Sequence, residues 1–228
     1  MTEPAGELGA QLVRAVRIMD RLRSPGGCPW DAAQTHSSLA PYLLEEAYET
    51  LDAIETADLR ALREELGDLL LQVLFHARVA EEAGPAERFT IDDVAADLVA
   101  KLTRRHPHVF GADPASAGSQ AASAGELQAN WDAIKKAEKQ RDSVTDGIAM
   151  GQPALALAAK LVSRSERAGL SVPLPARDGI GDELLNIVSA AVQAGVDPEQ
   201  ALRKSARDYR EAIRAEELRS DSDRDRAS

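Results

Sequence analysis

The pattern of apolar and polar positions predicts helices from the start of the chain. Residues 8–23 place leucine, valine and methionine every three or four positions with charged residues between them, a spacing typical of an amphipathic helix. A Pro-Gly-Gly segment at 25–27 ends this pattern. A second helix is expected from about Pro41 to Glu55. Proline suits its first turn, because the N–H that proline lacks would have no partner there.

Two further helices complete the first half of the chain. Residues 59–83 carry the strongest helical pattern, and a Gly-Pro pair stops it. Thr90 is a good N-cap for a fourth helix that ends near His106, because its hydroxyl can accept a free backbone N–H. The connections are short, as antiparallel helix packing requires. Residues 1–110 are therefore predicted to form one helical domain.

The second half is organised differently. Residues 111–125 are small and polar and are predicted to form a flexible linker. A helix is expected over 126–145, followed by a second helical region over 146–217. The charged tail, 218–228, is predicted to be disordered.

The second helical region weakly repeats the first. Residues 177–187 align with 63–73, which suggests a duplication. In this alignment Glu65 is matched by Gly179, and no closely spaced pair of glutamates precedes the second copy. Any metal site of the first half would be lost in the second, which is therefore predicted to be degenerate.

Composition favours an all-α fold. The chain of 228 residues has 41 alanines and only 4% aromatic residues, and alanine is the strongest helix former. A hydrophobic fraction of 44% is enough to bury a core, which excludes disorder throughout.

Charge and cysteine content narrow the partners and the compartment. The chain has 27 Lys+Arg against 38 Asp+Glu, a net charge of −11, which opposes binding to polynucleotides or anionic membranes. The single cysteine, Cys28, cannot form an internal disulfide, and no signal peptide or apolar run of about 18 residues is present. A cytoplasmic protein is expected.

Two pairs of acidic residues form the most informative pattern. Glu46 with Glu49, and Glu65 with Asp68, are each three residues apart, so each pair projects from one helix face. The segment between the pairs is long enough for the rest of one helix, a turn and the start of an antiparallel helix. Both pairs could then meet at one point.

Four carboxylates at one point require a cation, because like charges at close range raise one another's pKa. Oxygen ligands without Cys or His favour Mg²⁺, or Mn²⁺ as a substitute, over Zn²⁺. The alternative is a solvated acidic helix surface. Gly67 favours a site, since a glycine inside a strong helix is costly and suggests close approach to the backbone.

Five segments closely resemble the MazG family of nucleoside triphosphate pyrophosphohydrolases. The resemblance covers 10–140 and becomes weak beyond. The segments are 27–31 (GCPWD), 34–36 (QTH), 42–49 (YLLEEAYE), 63–70 (REELGDLL) and 101–110 (KLTRRHPHVF).

The resemblance implies an all-α, four-helix unit that dimerises, with higher oligomers left open, and Mg²⁺-dependent hydrolysis of an NTP or dNTP to the monophosphate and pyrophosphate. Residue by residue, the family's metal ligands fall on Glu46, Glu49, Glu65 and Asp68. Glu45 adjoins them and would position the attacking water or a second ion. A carboxylate-held Mg²⁺ suits this chemistry, since it neutralises phosphate oxygens and activates water.

The triphosphate also needs positive charge from the protein. Lys101 shares a helix face with Arg104 and Arg105, and the family places phosphate contacts here. A solvated helix end favoured by the helix dipole is the alternative. The pair Trp131 and Lys135 resembles a family segment that closes the nucleotide site, and the helix over 126–145 is therefore expected to close this site. Alternatively, Trp131 could equally cap the core.

Candidate contacts to the base come from the segment before the second helix. Trp30 is predicted to lie in a loop, where it could stack on a base or anchor the loop. Gln34 and His36 could hydrogen-bond a base edge, or act as local caps. His76 lies on the same helix stripe as Glu65 and Asp68 and could support these metal ligands, but it is interpreted as a half-buried histidine whose hydrogen bonds are satisfied.

The expected function is house-cleaning of the nucleotide pool. Two alternatives stay open at the sequence level. The first is a pyrophosphohydrolase dedicated to one metabolite, such as dUTP or phosphoribosyl-ATP. The second is a non-catalytic helical dimer that acts as a nucleotide sensor or regulatory partner.

Overall fold

The computed structural model describes residues 8–110, 142–175 and 179–227. The chain divides into two compact units, 1–125 and 126–228. Every regular element of the described residues is a helix, which confirms the all-α prediction. Within the described part of the chain, no helix is long and apolar enough to cross a membrane.

Helices of the first unit follow the predicted order, with short additional turns. The predicted helix over 59–83 ends a little earlier than expected. The helices are α1 (Ala10–Arg23), α2 (Pro29–Ala33), α3 (His36–Glu55), α4 (Leu59–Ala80), α5 (Ile91–Arg105) and α6 (Pro107–Phe110).

The start of α3 corrects the prediction that placed Pro41 in a first turn. Pro41 is the sixth residue of the helix, which begins at His36. Thr35 caps this end: its side chain accepts the backbone N–H of Ser38 at 3.2 Å, and the Ser38 hydroxyl accepts the N–H of Thr35 at 2.9 Å. This reciprocal capping box fixes the helix start more strongly than the proline does.

The turn between α1 and α2 depends on a glycine. Cys28 donates its backbone N–H to the carbonyl of Leu22 at 2.7 Å, which folds the chain back onto the end of α1. A Cβ on Gly27 would lie 2.2 Å from that same carbonyl oxygen, so no other residue fits here.

Helices α3 and α4 form an antiparallel hairpin that is the main packing unit of this half. The turn contains Ala57 in a left-handed conformation, with φ 56°. Asp58 then caps α4 by accepting the N–H groups of Arg60 and Ala61, both at 3.0 Å. The core lies where α1 crosses the hairpin and contains Met19, Leu39, Leu74 and Phe75.

A buried arginine ties α1 to the end of α4. Arg23 donates from Nε and Nη2 to the two carboxylate oxygens of Glu82, each at 2.9 Å, and from Nη1 to the carbonyl of Asp31. Its guanidinium lies 5.8 Å from the centroid of the Phe75 ring. This bidentate pair joins positions that are far apart in sequence and holds α1, α2 and α4 together.

The fourth predicted helix begins as expected. Thr90 accepts the N–H of Asp93 at 3.2 Å, and Asp93 accepts the N–H of Thr90 at 2.8 Å. The backbone N–H and the hydroxyl of Thr90 both donate to Asp93 Oδ2 at 2.8 Å, and these two bonds hold the pKa of the Asp93 carboxyl below its usual range. At the other end, His106 caps α5, with its Nδ1 2.7 Å from the carbonyl of Leu102.

The second unit contains α7 (Ala154–Arg167), α8 (Ile180–Gln193) and α9 (Pro198–Ala227). Helix α7 packs against α8 and α9. Asp197 caps α9 by accepting the N–H groups of Glu199 and Gln200, at 2.9 and 3.1 Å. The helix continues to Ala227 and so includes most of 218–228, the segment predicted to be disordered.

Part of the predicted organisation lies outside the described residues. The linker over 111–125 and most of the helix over 126–145 fall in the segment 111–141. Residues 142–145 form a turn rather than a helix end, closed by the Ser143 N–H donating to Asp146 at 2.9 Å.

Candidate metal and nucleotide site

Three carboxylates from the α3–α4 hairpin meet at one point. Glu46 and Glu49 project from α3, and Glu65 projects from α4. One oxygen from each lies within 4.8 Å of the others. The antiparallel hairpin therefore brings together both halves of the acidic pattern read from the sequence.

The carboxylates of this cluster repel one another. Burial raises the pKa of the half-buried Glu46, and the charges of Asp68, Glu49, Glu65 and Glu45 raise it further. Burial also raises the pKa of Glu65, followed by the charges of Glu49 and Asp68 and a hydrogen bond with Glu49. The arrangement favours a bound proton or a cation at this point.

The two other predicted acids lie beside this cluster. Asp68 falls outside the group of three, but its charge raises the pKa of both Glu46 and Glu65. Glu45 is exposed and contributes the smallest repulsion on Glu46. Four or five carboxylates thus share one electrostatic environment, and the donor set consists of hard oxygen atoms that suit Mg²⁺.

No described residue approaches the backbone at Gly67, so the close approach inferred for this glycine stays a prediction. A Cβ built on Gly67 would have no heavy atom within 4 Å among the described residues. The glycine lies on an exposed part of α4. Nothing in the described part of the fold therefore requires its small size.

Trp30 lies in helix α2 rather than in a loop, which corrects the sequence interpretation. Its ring contacts Tyr42 edge-on, with centroids 6.1 Å apart, and Phe75 at 6.4 Å. Half of the residue, 52%, stays exposed. Trp30 thus anchors the α2 corner to the core and keeps a free surface.

Gln34 forms local hydrogen bonds at the start of α3. Its Nε2 donates to the carbonyl of Trp30 at 2.9 Å, and its Oε1 accepts the Ser38 hydroxyl at 2.7 Å. The local capping alternative therefore describes the contacts of Gln34 in this structure.

His36 contacts His76 across the hairpin. Their Nδ1 atoms lie 2.8 Å apart, and the ring planes are parallel to within 1°. The second nitrogen of His76, Nε2, is buried and has no hydrogen-bond partner among the described residues. The interpretation of His76 as a satisfied histidine is thus confirmed for Nδ1, whereas Nε2 has no partner among the described residues.

Sequence reasoning missed Gln72. This residue is only 5% exposed, and its Oε1 is also buried without a hydrogen-bond partner in the described residues. A signal was available, because a glutamine at i+4 from Asp68 and i−4 from His76 lies on the same face of a helix.

The basic residues lie at the C-terminal end of α5. Lys101 and Arg104 are exposed and Arg105 is half-buried. In the described part of the chain, no ion pair joins Lys101 to the acidic cluster. Trp131 and Lys135 fall in the segment 111–141, outside the described residues.

Known proteins share this hairpin sequence. The profile of the MazG nucleotide pyrophosphohydrolase domain matches residues 34–110, which contain all four predicted ligands. A Thermotoga maritima protein named nucleoside triphosphate pyrophosphohydrolase/pyrophosphatase MazG is 38% identical over 232 residues, covering 91% of this chain and 86% of its own. The Escherichia coli nucleoside triphosphate pyrophosphohydrolase is 44% identical over 193 residues, covering 82% of this chain and 70% of its own.

The chain belongs to the MazG family. The resemblance drawn from the five sequence segments is confirmed. The nucleoside triphosphate pyrophosphohydrolase of Mycobacterium tuberculosis is 47% identical over 217 residues, which are 95% of this chain but 61% of that protein. The chain thus spans less than two thirds of this MazG relative and most of the Thermotoga one.

Proposed function

We propose that this chain hydrolyses nucleoside triphosphates to nucleoside monophosphates and pyrophosphate, as part of nucleotide-pool house-cleaning. The observation that carries the proposal is the cluster of Glu46, Glu49 and Glu65, whose oxygen atoms converge within 4.8 Å. Relatives named nucleoside triphosphate pyrophosphohydrolase match most of the chain and support it.

MazG-family enzymes are metal-dependent, and the acidic cluster provides ligands for a cation. We assign Mg²⁺, with Mn²⁺ as a substitute, to Glu46, Glu49, Glu65 and Asp68. When bound, the ion would neutralise phosphate oxygens and lower the pKa of a water molecule. Glu45 lies beside these residues and is assigned the positioning of the attacking water, for which a carboxylate oxygen is a suitable acceptor.

Residues at the end of α5 are assigned to the phosphates. Lys101, Arg104 and Arg105 would offset the charge that a triphosphate retains beyond what the metal neutralises. Trp131 and Lys135 are assigned to closing the site over the nucleotide. Trp30, Gln34 and His36 are assigned to the side of the base; the exposed surface of Trp30 supports stacking.

A homodimer is part of the proposal. Large apolar side chains on the described helices of the first unit are exposed, and a monomer rarely leaves so many uncovered. They include Leu66, Leu71 and Val73 on α4 and Leu98, Val99 and Leu102 on α5. The proposed partners are nucleoside triphosphates and a second copy, without polynucleotide or membrane, and the proposed location is the cytoplasm.

The decisive experiment is a pyrophosphate-release assay. Standard and damaged nucleoside triphosphates would be tested with the intact chain, with and without Mg²⁺. We expect release only with the metal and with several nucleotides. Turnover of a single metabolite would support the dedicated enzyme instead, and no turnover of any nucleotide would contradict the proposal.

Variants connect this activity to the cluster. Glu49→Ala and Asp68→Ala are each expected to lower turnover of every nucleotide by at least about 100-fold. Removing a metal ligand lowers activity more than removing a residue that only hydrogen-bonds to a ligand. Helicity, followed by circular dichroism, should stay intact. Substantial activity in both variants would show that the cluster is not the metal site.

Two control variants accompany them. Glu64→Gln removes an exposed acid next to Glu65 and should retain activity. Asp182→Ala tests the second unit, where Gly179 at the position matched to Glu65 lies before the first turn of α8. We expect turnover close to that of the unchanged chain, and a large loss would show that the second unit takes part in the chemistry.

A further inference from the structure

A row of polar side chains leads away from the acidic cluster along α4. Glu65, Asp68, Gln72 and His76 follow one another at intervals of three or four residues, so they share one face of the helix. Gln72 lies about 6 Å and His76 about 12 Å beyond Asp68 along the axis, at 1.5 Å per residue. The acids account for one end of this row, and the polar residues at the other end have no role in the proposed chemistry.

The far end of the row carries polar atoms that lack partners. Gln72 is 5% exposed, and its Oε1 is buried with no hydrogen-bond partner in the described residues. The Nε2 atom of His76, one turn further, is in the same situation. Burying such groups unpaired costs free energy that an apolar residue would avoid, so each of them indicates a partner outside the described residues.

His36 determines what His76 can offer. With two Nδ1 atoms 2.8 Å apart, one must carry the proton and the other must accept it. Burial lowers the pKa of His76, and the charge of His36 lowers it further, so the imidazole of His76 is favoured in its neutral form. Its Nε2 then has one defined role, donor or acceptor, fixed by the proton shared with His36.

Aromatic surface lies near the same part of the hairpin. Tyr42 is one turn before Glu46 on α3 and is 41% exposed, and its ring contacts that of Trp30. A flat ligand with polar edges would find both stacking surfaces and hydrogen-bonding groups at this end of the row.

We propose that Gln72 and His76 form the subsite that binds the nucleobase edge of a nucleotide whose phosphates lie at the acidic cluster, with His36 positioning the His76 ring. The inference rests on the proposed function for its class of ligand. An amide and an imidazole, one helical turn apart, match a base edge that presents a donor and an acceptor side by side.

The first test needs no turnover. The chain has four histidines, so the imidazole signals of His76 can be assigned by NMR with a His76→Gln variant. Nucleoside monophosphates, with Mg²⁺ present, should shift the His76 signals, whereas ribose 5-phosphate, which lacks a base, should not. Equal shifts with both probes, or none with any of the four common monophosphates, would overturn the proposal.

The second test is Gln72→Met, which keeps the size of the side chain and removes its polar atoms. Affinity for the preferred nucleotide should fall about five- to tenfold, as expected for one lost hydrogen bond, and discrimination between bases should narrow. Affinity for inorganic tripolyphosphate should not change. The thermal stability of the nucleotide-free protein should stay equal or rise, because an unpaired buried acceptor is gone.

Other outcomes separate the alternatives. If Gln72→Met weakens binding of tripolyphosphate as much as binding of the nucleotide, the residue does not recognise the base and the subsite is overturned. If the variant instead has lower stability and an altered oligomeric state but unchanged nucleotide affinity, Gln72 belongs to the fold or to a contact between copies, and the subsite is again overturned. Gln11→Met, an exposed glutamine on α1, is the control. If the unchanged chain releases no pyrophosphate from any nucleotide, the proposed function fails, and the monophosphate titration still decides on the subsite.

Discussion

The pKa of Glu65 on α4 is raised, whereas the pKa of Glu82, just beyond that helix, is lowered. Burial and the charges of Glu49 and Asp68 raise the pKa of Glu65. Hydrogen bonds from Arg23 lower the pKa of Glu82. One carboxylate therefore destabilises the metal-free protein when it ionises, while the other stabilises it, and the residue type alone does not decide the sign.

Glu65→Gln should stabilise the metal-free protein at pH 7. A raised pKa means that the folded state loses stability as pH rises from the ordinary value of 4.5 through the raised one. The advantage of the variant should therefore be present at pH 7 and vanish below about pH 4. Thermal unfolding in the presence of a chelator measures this difference.

The same variant should respond weakly to Mg²⁺, because one ligand is lost. Added Mg²⁺ should raise the midpoint of thermal unfolding clearly for the unchanged chain and for Glu64→Gln. An equal rise for Glu65→Gln would contradict the assignment of Glu65 to the metal.

Gly67→Ala tests what approaches the exposed face of α4. A Cβ here meets no described atom of the chain, and alanine is favoured over glycine in a helix by about 1 kcal/mol. We expect the variant to be more stable in urea unfolding by that amount. If activity or self-association falls in this variant, a ligand or a second copy occupies the space beside Gly67 that the added methyl group would fill. A loss of stability would contradict the open surroundings of Gly67.

At the scale of elements, a buried ion pair strengthens the contact between α1 and the end of α4. Arg23 is 5% exposed at its side chain and Glu82 is 45% exposed, with 2.9 Å between Nε and Oε1. Glu82→Gln should destabilise the protein by about 2 kcal/mol at pH 7, since a buried guanidinium loses its charged partner and solvent screening limits the effect.

The contribution of Glu82 has a defined pH dependence. Its lowered pKa means that the stabilisation is present above the ordinary value of 4.5 and is lost as pH falls through the lowered value. Urea unfolding between pH 7 and 3 should show the difference from Glu82→Gln shrinking towards acid. Glu81→Gln, whose contact with Arg78 is longer at 3.8 Å, is the control and should change stability by less than about 0.5 kcal/mol.

Helices and the acidic cluster could be predicted because their signals are local. Apolar periodicity marked α1, α4 and α5, and a spacing of three residues placed each acid pair on one face. The start of α3 was misplaced because the weight given to Pro41 hid the capping box at Thr35. Competing local signals of this kind are resolved only by the hydrogen bonds that form.

Contacts between distant positions could not be predicted. The pairing of His36 with His76, the ion pair of Arg23 with Glu82 and the burial of Gln72 depend on how α1 crosses the α3–α4 hairpin. A single sequence does not specify which residues of α1 face which residues of the hairpin. The class of the site was therefore accessible from sequence, while the burial of Gln72 and the pairing of His76 with His36 were not.

At the scale of the whole molecule, the first unit leaves much apolar surface uncovered. Val99 on α5 is 63% exposed and Leu66 on α4 is 52% exposed. We expect the chain to sediment as a dimer at micromolar concentration, and Val99→Asp to weaken that dimer at least about tenfold, since a charge would be buried at the contact. A monomer at all concentrations would contradict the proposed assembly.

The acidic cluster is assembled within the α3–α4 hairpin, from residues that lie close together in the sequence. Its members come from a single segment of about twenty residues, so they meet without any contact between distant parts of the chain. Local contacts of this kind have a low closure entropy and form early in folding. We therefore expect the carboxylates to repel one another before most of the core forms, and a divalent cation present during refolding to speed folding as well as stabilise the product.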